Sequence, residues 1–336
     1  MLIALLSGRR IAGKGWGQLM KLLKMSCITL VSACLLAATP DSKPRKQPTP
    51  AEKAVLQLED KNPEVRRNAA LFLYNNPAPS HAKVLLKALK DTDPQVRCHA
   101  INALTAMRHS TASSQIAKIL TNDPEARARQ TAAVSIGVMP GDNGAQVLLK
   151  ALSDTSSGVK IAAIRSLSLL RPNEAVPALT GLLSSDTNPG IRRYTLKALY
   201  EIGDSTAALP VAELLNDPDP MIQVEAIKTI EKLDPQIAKE RIKALLNTSN
   251  NNVKFQAAFS LAKLGDGSAV KTGLQLLNST EGPVRRQGSE ILALAGNESS
   301  IISLETAMAV EKDTYTYQTL DFAKSRIMKR LQEKTR

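Results

Sequence analysis

The chain has 336 residues, 43% of them apolar and only 3% aromatic, with abundant Ala and Leu and no long structureless tract after residue 50. That composition is helix-biased and globular, and it excludes a fibrous or wholly disordered protein. The net charge of +13 would point to nucleic acid if it were spread along the chain, but residues 51–321 hold 30 bases against 29 acids. The excess sits at the two ends, so no nucleic-acid partner is expected.

Residues 1–38 carry Arg9, Arg10, Lys14, Lys21 and Lys24 and no acid, ahead of the apolar run MSCITLVSACLLAA from Met25 to Ala38. A basic stretch, an apolar stretch and then the Pro-rich linker TPDSKPRKQPTP (39–50) is the order of a secretory signal. The run is shorter than the ~20 apolar residues a membrane span needs. Within it, Leu30-Val31-Ser32-Ala33-Cys34 resembles the lipobox of bacterial lipoproteins, which implies lipidation at Cys34 and a tether to the cell envelope. The run continues through Leu35 to Ala38, so a signal cleaved near Ala38 and an uncleaved anchor both stay open. Met20 begins a compact signal of its own, which leaves the start at Met1 or Met20. Cys27 and Cys34 fall in this leader, and Cys98 alone follows it. An intramolecular disulfide is thereby excluded from the exported part, and Cys98 reads as a small helix residue rather than a nucleophile.

From residue 51 the chain repeats itself. DKNPEVRR (60–67) returns as DTDPQVRC (91–98), and the apolar position before the Arg recurs at Val65, Val96, Ala126, Val159, Ile191, Ile222, Val253 and Val284, at intervals of 30 to 33. Such a period marks a solenoid of supersecondary units, each burying its apolar face against its neighbours. An Asn or Asp followed by Pro precedes most anchors (Asn62-Pro63, Asp93-Pro94, Asp123-Pro124, Asn188-Pro189, Asp219-Pro220), the signature of a capped helix start. Apolar residues then recur at helical spacing, as in Val96, Ala100 and Leu104. Upstream of each start lies a second apolar stretch, such as KVLLKALKD (83–91). Each unit is thus expected to be a helix pair.

The pattern L-x-D-x-x-P-x-V-R followed by A-x-x-A-L resembles the short HEAT-like repeat of the phycobilisome-lyase class, over residues 51–313. The resemblance implies an all-α fold, a right-handed α-α superhelix of about nine helix pairs. It also implies a ladder between pairs, built from an acid and a base six positions later: Asp60 and Arg66, Asp91 and Arg97, Asp154 and Lys160, Asp186 and Arg192. The pattern departs at Thr121 to Arg127, Asp217 to Gln223, Thr248 to Lys254 and Ser279 to Arg285, where a weaker or uncharged link is expected. An Arg just after a buried anchor lies at the edge of the core, where its fork reaches the acid of its own or the next unit.

Binding is expected on the far side of the second helix, at positions two and six after the anchor. In units four to seven these carry Arg165, Arg193, Lys197 and Lys228 together with Ile161, Val224, Phe255 and Phe259, a mixture suited to an acidic, partly apolar protein segment. Catalysis has little to stand on. His81, His99 and His109 are the only histidines, none precedes a Glu, and no metal-ligand cluster, phosphate loop or nucleophile elbow is recognisable, so neither cofactor nor metal is expected. The resulting expectation is a non-catalytic scaffold of the bacterial envelope that binds a partner protein. A phycobilin-lyase-like enzyme and a purely structural envelope component are the alternatives. Residues 314–336 form a basic terminal helix, expected to cap the open end and able to meet anionic lipid.

Overall fold

In the computed structural model, which describes residues 47–334, α-helices follow one another in pairs from Pro50 onward. The first three pairs are α1 (Pro50–Gln57) with α2 (Pro63–Asn75), α3 (Ala82–Ala88) with α4 (Pro94–Ala106), and α5 (Ser113–Asn122) with α6 (Ala126–Val138). The next three are α7 (Gly144–Ala151) with α8 (Ser157–Leu170), α9 (Val176–Ser185) with α10 (Pro189–Ile202), and α11 (Ala208–Glu213) with α12 (Pro220–Leu233). The last three are α13 (Pro235–Ile242) with α14 (Asn251–Lys263), α15 (Ala269–Leu277) with α16 (Gly282–Ala295), and α17 (Glu298–Val310) with α18 (Thr314–Lys334). The described residues therefore form nine pairs without a strand, the all-α solenoid that the repeat implies.

The second helix of a pair starts where its cap dictates. Asn62, Asp93, Asn188 and Asp219 accept the backbone N–H of Glu64, Gln95, Gly190 and Met221 at 2.8 to 2.9 Å, with Pro in the first turn. Behind the caps the anchors Val96, Val159, Ile191, Ile222 and Val253 are fully buried. Four residues further on, every second helix from α2 to α14 places a small buried residue: Ala69, Ala100, Ala132, Ala163, Thr195, Ala226 and Ala257. The next helix, α16, has Gly288 there. Small side chains let helix axes approach closely, and consecutive second helices pack against one another all along the chain, more extensively than consecutive first helices do. The tighter layer must be the inner one, so the solenoid curves toward its second helices. Gly288 faces the first helix of its own pair, α15: a Cβ there would lie 2.7 Å from the Gly273 carbonyl oxygen and 2.8 Å from the Leu277 nitrogen.

The third unit corrects the sequence reading. Its helix starts at Ala126, with Glu125 as the flanking cap residue and no side-chain cap bond, and the buried anchor is Ala128 rather than the half-buried Ala126. ARARQ alternates Ala and Arg with period two, so either Ala fits the pattern, and only the helix start decides. Asp123 is therefore no cap but the unit's ladder acid, Arg129 is its ladder base, and Arg127 is exposed. With Ala128 in place the anchors fall 31 or 32 residues apart throughout.

The ladder itself runs between neighbouring units, not within one. Arg66 donates from Nε and Nη2 to the Asp91 carboxylate at 2.7 and 2.9 Å, while its Nη1 donates to the backbone carbonyl of Asp60 at 2.9 Å. Arg97 repeats this with Asp123 (2.7 and 2.6 Å) and the Asp91 carbonyl (2.8 Å), and Arg129 with Asp154 (2.7 and 2.9 Å) and the Asp123 carbonyl (2.8 Å). Lys160 reaches Asp186 at 2.8 Å and Arg192 reaches Asp217 at 2.9 Å. The pairs Asp60 and Arg66, Asp91 and Arg97, Asp154 and Lys160, and Asp186 and Arg192 are thus not carboxylate–base partners. Each of these carboxylates instead turns its own loop, accepting the N–H two residues on, as Asp60 does from Asn62 and Asp154 from Ser156, both at 2.8 Å. In Asp91, Asp154 and Asp186 the free edge then faces Arg66, Arg129 and Lys160 of the preceding second helix, an arrangement that satisfies each planar guanidinium on both sides. At Asp154 the Arg129 guanidinium holds the carboxyl below the ordinary carboxylate range. Two of the expected departures are links after all: Arg285 pairs with Glu311 at 2.7 Å, and Arg129 replaces Arg127. Gln223 keeps only the bond within its own unit, donating to the Asp217 carbonyl at 2.9 Å.

Candidate partner-binding groove

The exposed rows of the second helices converge on one open groove of about 690 Å³ across α10, α12 and α14. Four of the residues selected from the sequence meet there: Arg193 and Lys197 from α10, Lys228 from α12 and Phe259 from α14. Arg165, exposed on α8, occupies the same position of its helix as Lys197 but lies outside the groove lining. Phe255 is not presented to the groove. It is half-buried against the core and its ring lies 5.7 Å from that of Phe259, which it supports from behind.

Other lining residues escaped the sequence reading. Tyr194, Glu225 and Gln256 stand three positions after their anchors, Tyr200 and Glu231 nine, and Glu201, Lys232 and Lys263 ten. At 100° per residue these positions lie between 180° and 300°, on the same outward side as positions two and six. The full width of that stripe was the available signal.

Charge in the groove is unevenly satisfied. Glu231 binds the Lys263 ammonium and accepts the Ser260 hydroxyl at 2.7 Å. Lys232 caps the Tyr200 ring, its Nζ 4.1 Å from the centroid. Glu201 pairs with Arg171 at 2.5 Å, and Lys228 approaches Glu225 at 3.5 Å. Arg193 and Lys197 have no carboxylate partner among the described residues; the Arg193 guanidinium rests 5.9 Å from the centre of the Tyr194 ring. This is unlike the two arginines at the same helix position elsewhere. Arg67 donates to the cap acid Asp93 at 2.8 Å and holds that carboxyl below its ordinary range, and Arg286 reaches Thr316 at 2.9 Å. The groove thus joins Arg193 and Lys197, which lack carboxylate partners, and Lys232, held only by Tyr200, to the apolar surfaces of Tyr194, Met221 and Phe259, with no His, Cys, Ser or Asp in the lining.

The groups a catalytic reading would need are dispersed. Cys98 is buried, with the Thr131 hydroxyl 3.5 Å from its sulfur. His81 is buried beside α3, burial pushes the His99 imidazole below its ordinary value, and His109 pairs with Thr111. Among the described residues no cluster of three potential metal ligands exists. On α18, Arg330 is turned inward and donates to the carbonyls of Ala293 and Gly296, closing the end of α16; Lys324 lies near Glu305 at 3.8 Å. Cys34 lies outside the described residues.

Scanned against protein families, the chain matches the HEAT-repeat model in five overlapping stretches, residues 51–137, 113–199, 145–213, 182–248 and 208–295. Among solved structures it is similar to YibA from E. coli, at 20% identity and a TM-score of 0.57, over 76% of this chain and 96% of that one. It also matches the complex of CpcE and CpcF of phycocyanin lyase from Nostoc sp. PCC7120, at 19% identity and a TM-score of 0.42, over 73% and 94% of the two chains. The likeness to YibA shows the fold alone, and the second carries no argument. No curated protein matches. The five stretches together cover most of the repeat region, and the chain belongs to the HEAT-repeat family.

Proposed function

We propose that this chain is a non-catalytic scaffold of the bacterial cell envelope, exported by its N-terminal segment, tethered through a lipid on Cys34, and holding a segment of another protein on the inner face of its second helices. The observation that carries the reading is the pair Arg193 and Lys197, which lack carboxylate partners above an apolar floor. The ladder arginines and Arg67 are neutralised by an acid of the next unit, so Arg193 and Lys197, left without one beside aromatic side chains in a groove, are best accounted for by a ligand that brings the missing acids. Aromatic and Arg side chains in one concave site are also the residue types that dominate interface energetics. A lining of Lys, Glu, Tyr and Phe without a nucleophile–base pair favours binding over transformation.

The test has two arms. A photo-crosslinking residue at the neutral groove position Gln256 in intact cells should give one dominant adduct, lost in Arg193→Glu/Lys197→Glu at unchanged melting temperature. An adduct that persists in the double reversal removes this groove from consideration. Palmitate labelling with membrane fractionation should be abolished by Cys34→Ala, and labelling that is unaffected ends the lipid claim.

A further inference from the structure

The five second helices from α6 to α14 present, at one and the same helix position, Val134, Arg165, Lys197, Lys228 and Phe259. All lie on the outer side of their helices; Val134, Arg165, Lys197 and Lys228 are exposed, and Phe259 is half-buried with one side open to the groove. Each of these helices packs directly on the next, so the row crosses the units as a line: apolar, three bases, aromatic. Arg165 and Lys197 carry no ion pair among the described residues, and Lys228 has only Glu225 at 3.5 Å.

Resting on the reading above, we infer that the partner segment is an extended peptide laid across the units, with acids at every third residue and an apolar residue three positions beyond each end of the acidic series. The spacing follows from two lengths. Packed helices stand ~8 to 10 Å apart, and three residues of extended or polyproline chain cover ~9 to 10 Å. One residue in three therefore meets each unit, and the five contacts span a segment of about 13 residues. A carboxylate facing Arg165, Lys197 and Lys228 supplies what the ladder acids supply elsewhere. The flanking apolar residues meet Val134 at one end and Phe259, backed by Phe255, at the other. Glu201, Glu225 and Glu231 line the same groove and would repel a continuous polyphosphate, whereas they leave room for a peptide whose acids are discrete. That favours a carboxylate peptide over a nucleic acid.

Fluorescence anisotropy of the full chain with three synthetic peptides of identical composition tests the rule, the acids being spaced by two, three or four residues between terminal Leu and Phe. The three-residue spacing should bind about two- to thirtyfold more tightly, because the other two align one acid at most and each further exposed pair contributes about 0.2 to 1 kcal/mol. Lys197→Glu should abolish the preference, and Phe259→Ala should weaken the three-spaced peptide several-fold without changing the order. Equal binding of all three spacings, or displacement of the peptide by a single-stranded oligonucleotide at similar concentration, overturns the inference. If no peptide binds while the Gln256 crosslink forms in cells, the spacing rule fails and the scaffold reading stands; loss of both leaves neither.

Discussion

At the scale of single residues, the Arg that follows the anchor in most units is a structural device. Arg97 is the most enclosed example: its side chain is 9% exposed, that of Asp123 is 5% exposed, and the pair is also tied to the Asp91 carbonyl. Removing one member of a buried pair strands the other in a poorly solvated site, a cost of about 3 to 5 kcal/mol. Arg97→Ala should therefore lower the melting temperature by several degrees, while partner binding falls only in proportion to the folded fraction; a calorimetric melt alongside the crosslinking assay separates the two. Asp266 supplies a pH-dependent counterpart. Burial would raise its carboxyl, but the Lys243 ammonium at 2.9 Å, the Ser268 hydroxyl and the Ser268 N–H outweigh that and hold it at about 2. A carboxyl depressed in the folded state adds stability that is complete above its unfolded value near 3.8 and is lost as pH falls through the folded one. Lys243 is half exposed, so screening limits the gain to about 1 kcal/mol. Asp266→Asn should cost that much at pH 6 and almost nothing at pH 2, as read by urea unfolding at the two pH values.

At the scale of the helix, the close packing of the two helices within a pair depends on small residues at the fourth position after the anchor. Gly288 is the extreme case, because a Cβ would meet backbone atoms of α15 rather than a movable side chain. Gly288→Ala should destabilise by about 1 to 3 kcal/mol despite its better helix propensity, since α15 and α16 must separate to admit it. Thermal melting of the variant decides, and an unchanged or raised melting temperature would show that the two helices slide apart at little cost. The helix pairs themselves were legible in the sequence, because caps, anchors and small residues recur at a period no single unit could produce alone. Two things were not. The frame of the third unit was ambiguous, since Ala126 and Ala128 satisfy the same pattern and only the start of α6 separates them. The ladder partners were misread because a base six residues after an acid looks like its mate in one dimension, whereas side-by-side stacking brings the next loop's carboxylate closer. The groove was half legible: Arg193, Lys197, Lys228 and Phe259 followed from periodicity, but Tyr200, Glu231 and Lys232 come from the edge of the stripe, and whether a cation there is neutralised depends on neighbours in another unit.

At the scale of the molecule, stability in such a fold is close to a sum of unit stabilities and nearest-neighbour links, so a missing link has a place. The charged ladder is continuous from Arg66 to Asp217 and resumes at Arg285, but Thr248 and Ser279 stand where acids should, leaving Lys254 without an ion pair among the described residues and Gln223 with only its own unit's carbonyl. Without ladder pairs, the seventh pair is held to its neighbours by apolar packing of Val253, Ala257 and Leu261 and, toward α12, by Glu231 with Lys263 and Ser260. Its first helix also gives way to a 3-10 turn over Lys243–Asn247. The same pair supplies Phe259 and Lys263 to the groove, so a junction without ladder pairs on either side is where the groove's far wall is expected to open first. Amides of α13 and α14 should accordingly exchange with solvent faster than those of α8 and α10, reflecting local opening. Restoring the acid tests the cause. Ser279 already accepts the Glu281 N–H as the ladder acids accept theirs, so in Ser279→Asp the new carboxylate can turn the same loop and face Lys254, as Asp186 faces Lys160. That pair should add about 0.5 to 1 kcal/mol and slow exchange in α14 and α16 several-fold while leaving α4 to α8 unchanged. Slowing spread evenly over the chain would mean that the units open together, and no slowing at all would mean that the missing acid is not what loosens this junction.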